Sequence, residues 1–545
     1  MKKLKSLFSR VRIRPITYAD DSDPNHSTEL AKPVLLPLAC NDFIPFLMAF
    51  SLPESARNSY MVLTNPDILY MIFQYISETE FIHGTCKRVC QAWYQCARKV
   101  PVSISWWRYD YQRMKDFLFI GSSSKKYYNI FQGMALQSLK CAFGTIVTTK
   151  QIESFMNLLL ASDSLKSDQQ ANVETPTHYR HQLSHFTFSS NELDPQGVKI
   201  LFNSYLASLY TNQFTISTHH IWSNLKELDI SYNKIGTSGV KALVESSGLA
   251  LVFSQLLLLN LSSNRIEYEG VRILMKEGFG RHSSSYLLKT LKMEGNSIGK
   301  EGAKEIAQNP NMNNLTRLDL SFTNIGDEGV HYLTSDGTFL QNLTYLNIHN
   351  SAMTVDGAKY LSTSEHVRNL KTLILSANRL GEEGVKYMSQ SGTRLQSLTH
   401  LEMNYCQIGD EGLECLMNGH CIQNVTELTL RGNNLTPLGM KHIASAKIRG
   451  VSAKTLGFSN FRYLDVSEND DICDEGVKEL TLASNEKLFK LQELNLFRTN
   501  ISDASIEAIM KCPYWKNTLK WVGVSKNPNV TDAGRKLLEQ IKSSN

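Results

Sequence analysis

From Leu225 to about Ile541 the chain repeats one phrase, and no other feature limits its fold as much. The clearest copy is Leu225-Lys-Glu-Leu228-Asp-Ile230-Ser-Tyr-Asn233-Lys-Ile235-Gly-Thr-Ser-Gly239-Val240. It returns at Leu256, Leu288, Leu315, Leu343, Leu370, Leu398, Val425, Phe461, Leu491 and Leu519. Between 288 and 425 the steps are 27, 28, 27, 28 and 27 residues. A period of this size implies a solenoid, in which each copy buries its apolar side against its neighbours.

Each position in the phrase has a physical job. Leu228 and Ile230 alternate with Glu227, Asp229 and Ser231, the period of a strand buried on one face. Asn233 follows the last buried strand position by three. An Asn there can bond the backbone of its own turn and of the neighbouring repeat, replacing ladder bonds lost at the bend. Asn191, Asn264, Asn296, Asn378, Asn433, Asn469 and Asn527 hold the same place, and Thr323, Ser351, Cys406 and Thr499 replace it. A Gly-centred helix start follows, as in Gly329-Val330-x-x-Leu333, with apolar spacing that packs a helix on the sheet. Acids gather before that Gly: Asp327-Glu328, Glu382-Glu383, Asp410-Glu411 and Asp474-Glu475. Their recurrence marks scaffold chemistry, since an acid near a helix N-terminus gains ~0.3–1 kcal/mol from the helix dipole.

The pattern L-x-x-L-x-L-x-x-N-x-L, near 28 residues with a helix after each strand, resembles the ribonuclease-inhibitor class of leucine-rich repeats. That resemblance implies an α/β horseshoe, with parallel strands on the concave face and helices on the convex face. The repeat domain is expected over residues 183–545. Its first clear copy is Leu183-x-x-Phe186-x-Phe188-x-x-Asn191. Residues 101–182 read as a joining region. There Val102 to Trp106 alternates as a strand, and Leu136 to Phe155 forms a worn repeat. The step of 42 from Leu183 to Leu225 implies an inserted loop near Leu206 to His220, and the long step from Val425 to Phe461 one near Ala444 to Ser459.

Composition narrows the classes. A net charge of +5 on 545 residues is weak and argues neither for nor against a nucleic-acid partner, and none is expected. No uncharged apolar run of ~18 residues is present, so no transmembrane helix is expected. The ten cysteines lack a framework of close pairs and read as reduced, which suits the cytoplasm or nucleus. Cys86, Cys90 and Cys96 lack the C-x-x-C spacing and the further ligands of a zinc site. No metal or cofactor is expected. Residues 1–58 show no periodicity and read as an irregular or disordered extension, basic at its start.

Residues 59–100 change character. Asn65-Pro66-Asp67 is a helix start, followed by Ile68, Leu69, Ile72, Phe73 and Ile76 at helical spacing. Ser77-Glu78-Thr79-Glu80 is a second start, and Val89, Cys90, Trp93 and Ala97 form a third apolar series. Asp67-Ile68-Leu69, Ile72-Phe73-Gln74-Tyr75-Ile76 and Val89-Cys90-Gln91-Ala92-Trp93 resemble the three marks of an F-box. The family's Leu-Pro opening is replaced by Thr64-Asn65, with Pro66 one place late. The resemblance implies that Pro66, Ile68, Leu69, Ile72, Phe73, Val89 and Trp93 grip a Skp-type adaptor.

No Gly-rich phosphate loop and no nucleophile–base set stands out, so a non-catalytic protein is expected. The informative residues are the outward strand positions, because the repeat does not dictate them. Early ones are charged and mostly acidic. From Tyr345 onward, residue types that carry interface hot spots accumulate. Tyr345, His349, His400, Glu402, Tyr405, Arg431, Tyr463, Phe497, Arg498 and Trp521 are the expected protein-binding residues. The resemblances together imply a monomeric substrate-recruiting subunit of a Skp–cullin–F-box ubiquitin ligase. A plain binding scaffold or inhibitor, and a GTPase regulator, are the alternatives.

Overall fold

The computed structural model describes residues 61–63, 102–106, 136–142, 147–161, 183–202, 219–246, 252–280, 286–446, 461–482 and 491–543, with 249, 488 and 490 between them. The expected F-box-like residues from Pro66 to Trp93 and both expected insertion loops lie wholly or mostly outside these. The chain divides into two compact units, one of residues 1–187 and 205–224, the other of 188–204 and 225–545.

In the first unit Met61–Leu63 pairs parallel with Val102–Trp106, which pairs parallel with Leu136–Cys141. Within the segment read as a worn repeat, the strand Leu136–Cys141 buries Leu139 and Cys141, and the helix Thr149–Ala161 that follows buries Ile152, Phe155 and Met156.

The second unit is the solenoid. From Glu227–Asp229 to Trp521–Gly523 its strands add in chain order, each pairing parallel with the next. Register is uniform. The buried leucines Leu318, Leu346, Leu373, Leu401 and Leu428 stand opposite one another across the sheet. Parallel order with a helix on each crossover is what a short strand–helix repeat must adopt. Pro195 opens a helix, Pro195–Phe202, where its missing N–H costs nothing.

Asparagine fastens each copy to the one before. Asn296 accepts from the backbone N–H groups of Asn264 and Ile266 at 3.0 and 2.9 Å. Its Nδ2 donates to the carbonyls of Leu261 and Met293. Asn433 bridges to Cys406 and Met403 in the same way, and Asn469 to Asn433 and Leu430. Where Asn is replaced, the hydroxyls of Ser351 and Thr499 and the thiol of Cys406 donate to a nearby strand carbonyl. Burial pushes the Cys406 thiol up to about 12, in keeping with an inert thiol.

The recurrent acids do more than complement their own helices. Asp327 accepts from the N–H and Oγ1 of Thr354 and the N–H of Gly357, at the start of the next repeat's helix. Asp410 does the same for Thr436, Asp474 for Ser502 and Ser505, and Asp503 for Thr531. One carboxylate thus caps the neighbouring helix and ties two repeats together. Burial works against the Asp474 carboxylate, but the bonds from Ser502 and Ser505 hold its pKa below the ordinary value. Its contribution is therefore present above the unfolded carboxylate range and is lost as pH falls through the folded value. Asp474→Ala is expected to lower stability at neutral pH by about 1–2 kcal/mol, read by urea denaturation, and the deficit should shrink toward pH 3.

Candidate functional site

The face of the solenoid sheet away from the helices is formed by residues flanking each buried leucine. Many are half-buried, while Arg317, Glu427, Glu493 and Trp521 are exposed and Thr429 and Asp465 are buried, and each lies beside its counterpart in the next repeat. The ten residues expected to bind a partner, Tyr345 to Trp521, all lie on this face or at its strand-exit edge. They fall into three groups and a terminal aromatic.

In the first group the Arg317 guanidinium lies 3.9 Å from the Tyr345 ring centroid on the neighbouring strand. Asn347 donates to Asp319, and its own Oδ1 accepts from the His349 backbone. The His349 ring sits 4.7 Å from that of Phe322. Burial holds the His349 pKa below its ordinary value, against the pull of Glu402 and Asp319.

The second group is a His400–carboxylate pair. His400 Nδ1 lies 2.6 Å from Glu427, its register partner, and Nε2 lies 4.0 Å from Glu402. Glu402 and Glu427 raise the His400 pKa against burial, and His400 in turn lowers that of Glu402. The 2.6 Å contact is a hydrogen bond, whereas 4.0 Å is an ion pair only. Glu402 is held in place by Ser376 and Asn404, both at 3.0 Å.

The third group is a clamp around Arg431. Its guanidinium lies 5.7 Å from the Tyr405 ring centroid and 5.8 Å from that of Phe497, and it donates to Glu468 at 2.5 Å. The Tyr405 hydroxyl donates to the same carboxylate. Arg431, then Tyr405, lowers the Glu468 pKa. Arg431 Nε is buried without an acceptor. Arg498 pairs with Asp470 at 3.3 Å. The Tyr463 hydroxyl donates to Asp465, and burial beside that carboxylate pushes its pKa up to about 12. The last aromatic, Trp521, lies so close to Gly523 that an added Cβ there would meet its ring at 2.4 Å.

Strand alternation alone missed Phe322 and Glu468. Both sit just before the ladder position, at the strand exit, where the chain bends. Residues in this row have positive φ in repeat after repeat: Tyr232, Ser263, Gly295, Phe322, Asn350, Ala377, Tyr405, Gly432, Glu468, Arg498 and Lys526. The bend requires it. A bulky residue there carries a backbone cost of roughly 1–2 kcal/mol that Gly avoids. Yet Tyr232, Phe322 and Tyr405 stand there with 54%, 48% and 44% of their surface exposed. Phe322 packs on His349 and Tyr405 on Arg431, yet each keeps nearly half its surface open, and such positions are where function is sought. The available signal was the position directly before each ladder Asn.

Among the described residues no group of three or more His, Cys, Asp or Glu could hold a metal ion. No described helix is long and apolar enough to cross a membrane.

A family model described as "Leucine Rich repeat" matches residues 223–244, 254–275, 287–307, 311–333, 366–389, 394–417, 421–444, 459–480 and 487–510. The chain is 27% identical over 343 residues to the Homo sapiens protein "NACHT, LRR and PYD domains-containing protein 14", covering 56% of this chain and 28% of that one. It is 25% identical over 271 residues to the Mus musculus "Ribonuclease inhibitor", covering 43% of this chain and 58% of that one. It thus spans less than two thirds of either relative. Among solved structures it is similar to that of the yeast Rad7–Elc1 complex, with a TM-score of 0.37 and 14% identity over 72% of this chain and 81% of that one. The repeats are leucine-rich repeats of ribonuclease-inhibitor type.

The two histidines offer a check on the site's electrostatics. In pH-titrated NMR spectra His400 is expected to lose its proton above pH 6.5 and His349 below it. His400 then contributes stability that is full below the unfolded value and fades as pH rises through the folded one. His349 works the other way, disfavouring the fold as pH drops below the unfolded value. Glu427→Gln should lower the His400 midpoint and leave that of His349. The reverse order of midpoints would contradict the pairing.

Proposed function

We propose that this chain is a non-catalytic protein-binding adaptor whose sheet face, from Tyr345 to Trp521, holds a protein partner. The clamp of Tyr405, Arg431, Glu468 and Phe497 carries this reading. It places two aromatics and an arginine side by side, ordered by a shared carboxylate, on a surface whose identity the repeat leaves open. Tyr and Arg are the residues that dominate interface energetics when pre-ordered. A relative named for inhibiting a ribonuclease uses the same type of repeat, so a scaffold of this type can act on a protein by binding it. Replacing Tyr405, Tyr463 and Phe497 by Ala together should weaken partner capture by about thirtyfold or more, the effect of losing ~2 kcal/mol at a hot spot. The melting temperature should stay within a few degrees, since all three reach the open face. Undiminished capture by a folded variant would remove this face from the account.

The finer reading is that the partner is a substrate delivered to a ubiquitin ligase. The F-box-like motifs from Asp67 to Trp93 support it, with Ile68, Leu69, Ile72, Phe73, Val89 and Trp93 facing a Skp-type adaptor. The protein would then supply proximity, turning a bimolecular encounter into a local one. A buried, inert thiol such as Cys406 suits a reducing compartment, cytoplasmic or nuclear. Wild-type chain should co-purify with a Skp-type adaptor, and Phe73→Ala/Trp93→Ala should not, while keeping the circular dichroism of the repeats. Failure of the wild type to bind would leave an interaction scaffold without the ligase role.

A further inference from the structure

Among the described residues the solenoid sheet ends at Trp521–Gly523, and that edge is open. In the copies before it, two N–H groups just past the strand find carbonyls in the copy that follows. Val466 and Glu468 donate to Asn495 and Phe497 at 3.1 and 2.8 Å, and Leu496 and Arg498 donate to Gly523 and Ser525 at 2.7 and 3.1 Å. The matching N–H groups of Val524 and Lys526 have no acceptor among the described residues. Water reaches this edge. Val522 is half-buried and Val524 is 8% exposed, whereas their counterparts Leu494 and Leu496 are at 0%. Two donors two residues apart are half of a ladder that an extended chain completes.

Charge says what kind of chain would fit. From Lys516 to Asn545 there are six lysines and arginines against two acids, Asp532 and Glu539. The copy before, from Leu491 to Trp515, has two cations against three acids. Lys516, Lys520, Lys526 and Lys536 are all exposed, and none has an ion-pair partner among the described residues. The helix beside the edge is altered in the same sense. Gly476-Val477 and Ser505-Ile506 place a fully buried apolar side chain on their helices. At the same place Gly534-Arg535 puts an exposed arginine, which donates to the Val530 carbonyl at 3.3 Å. A further leucine-rich copy would have to bury that guanidinium. A second copy of this chain, set edge to edge, would bring like charges together. An acidic chain meets neither obstacle.

We propose that the sheet edge at Trp521–Gly523 receives an extended, acidic segment of a partner polypeptide as an added strand. Carbonyls of that segment take the N–H groups of Val524 and Lys526, as Gly523 and Ser525 take those of Leu496 and Arg498. Its carboxylates meet the unpaired lysines and Arg535. Main-chain bonds supply affinity in this mode, and the side chains supply the choice of partner. A polypeptide fits better than a nucleic acid, because its carbonyls come at the spacing of the two donors. The site needs the edge and not the open face of the sheet, so it does not depend on the adaptor or ligase reading.

The test uses the full chain and a fluorescent, end-blocked peptide, Glu-Leu-Glu-Leu-Glu-Glu-Asp. The peptide Lys-Leu-Lys-Leu-Lys-Lys-Asn and oligothymidylate are the controls for pattern and for charge. Fluorescence anisotropy is expected to show saturable binding of the acidic peptide, weakening as salt rises, and little binding of either control. Amide hydrogen exchange should slow at Val524 and Lys526 when the acidic peptide is bound, which adhesion by charge alone would not cause. Lys520→Glu/Lys526→Glu/Lys536→Glu changes only exposed side chains and should weaken binding about tenfold or more, at ~0.2–1 kcal/mol for each pair lost. Tyr405→Ala/Tyr463→Ala/Phe497→Ala should bind the peptide as the wild type does. No binding, unchanged exchange at Val524 and Lys526, equal binding of either control, undiminished binding by the lysine variant, or loss of binding in the open-face variant would each overturn the proposal.

Discussion

The buried asparagine ladder is the constraint on which the rest of the solenoid depends. At every strand exit the chain bends, and backbone N–H groups lose their sheet partners there. An Asn such as Asn296 or Asn433 supplies acceptors to the previous copy and donors to its carbonyls, all out of reach of water. Orphaned buried groups each cost about 1–3 kcal/mol, so the side chain sets the spacing of copies as well as stabilising them. The aspartates at Asp327, Asp410, Asp474 and Asp503 do the matching work on the helix side. Each repeat is thereby fixed to its neighbour along two lines, one through amides and one through carboxylates.

Those fixings also shape the open face. Tyr405 directly precedes Cys406, whose N–H is held by Asn433, and Glu468 directly precedes Asn469, which holds the N–H of Asn433. The clamp around Arg431 therefore hangs from ladder residues at both ends. The left-handed backbone beside each ladder position is a demand of the bend, while the side chain placed there is free to vary. Gly295 and Gly432 answer the demand at least cost. Tyr232, Phe322 and Tyr405 answer it at greater cost and gain exposed aromatic surface, which is an expense a scaffold alone does not require.

Most of the architecture could be read from the sequence because the repeat carries its own physics. Leu228, Ile230 and Asn233 state strand, burial and bend in six residues, and the structure places all three as their pattern implies. The stand-ins Thr323, Ser351 and Thr499 were also legible, since a hydroxyl can serve where the amide is missing. Less legible was the reach of Asp474 across to Ser502, because a bond between copies is set by three-dimensional spacing and leaves no local mark. The candidate site was half legible. Tyr345, His400 and Tyr463 follow from strand alternation, which ends at the bend. Phe322 and Glu468 lie past that end, and the left-handed turn brings them back to the same surface.

The most direct measurement is amide hydrogen exchange on Asn433→Ala beside the wild type. If the ladder fixes both the copies and the clamp, exchange should quicken at Cys406 and Ile408, the amides Asn433 holds, and should spread to Tyr405 and Arg431. Repeats before Leu343 should keep their protection. Unchanged exchange at Cys406 and Ile408, or an even rise along the whole solenoid, would contradict the account.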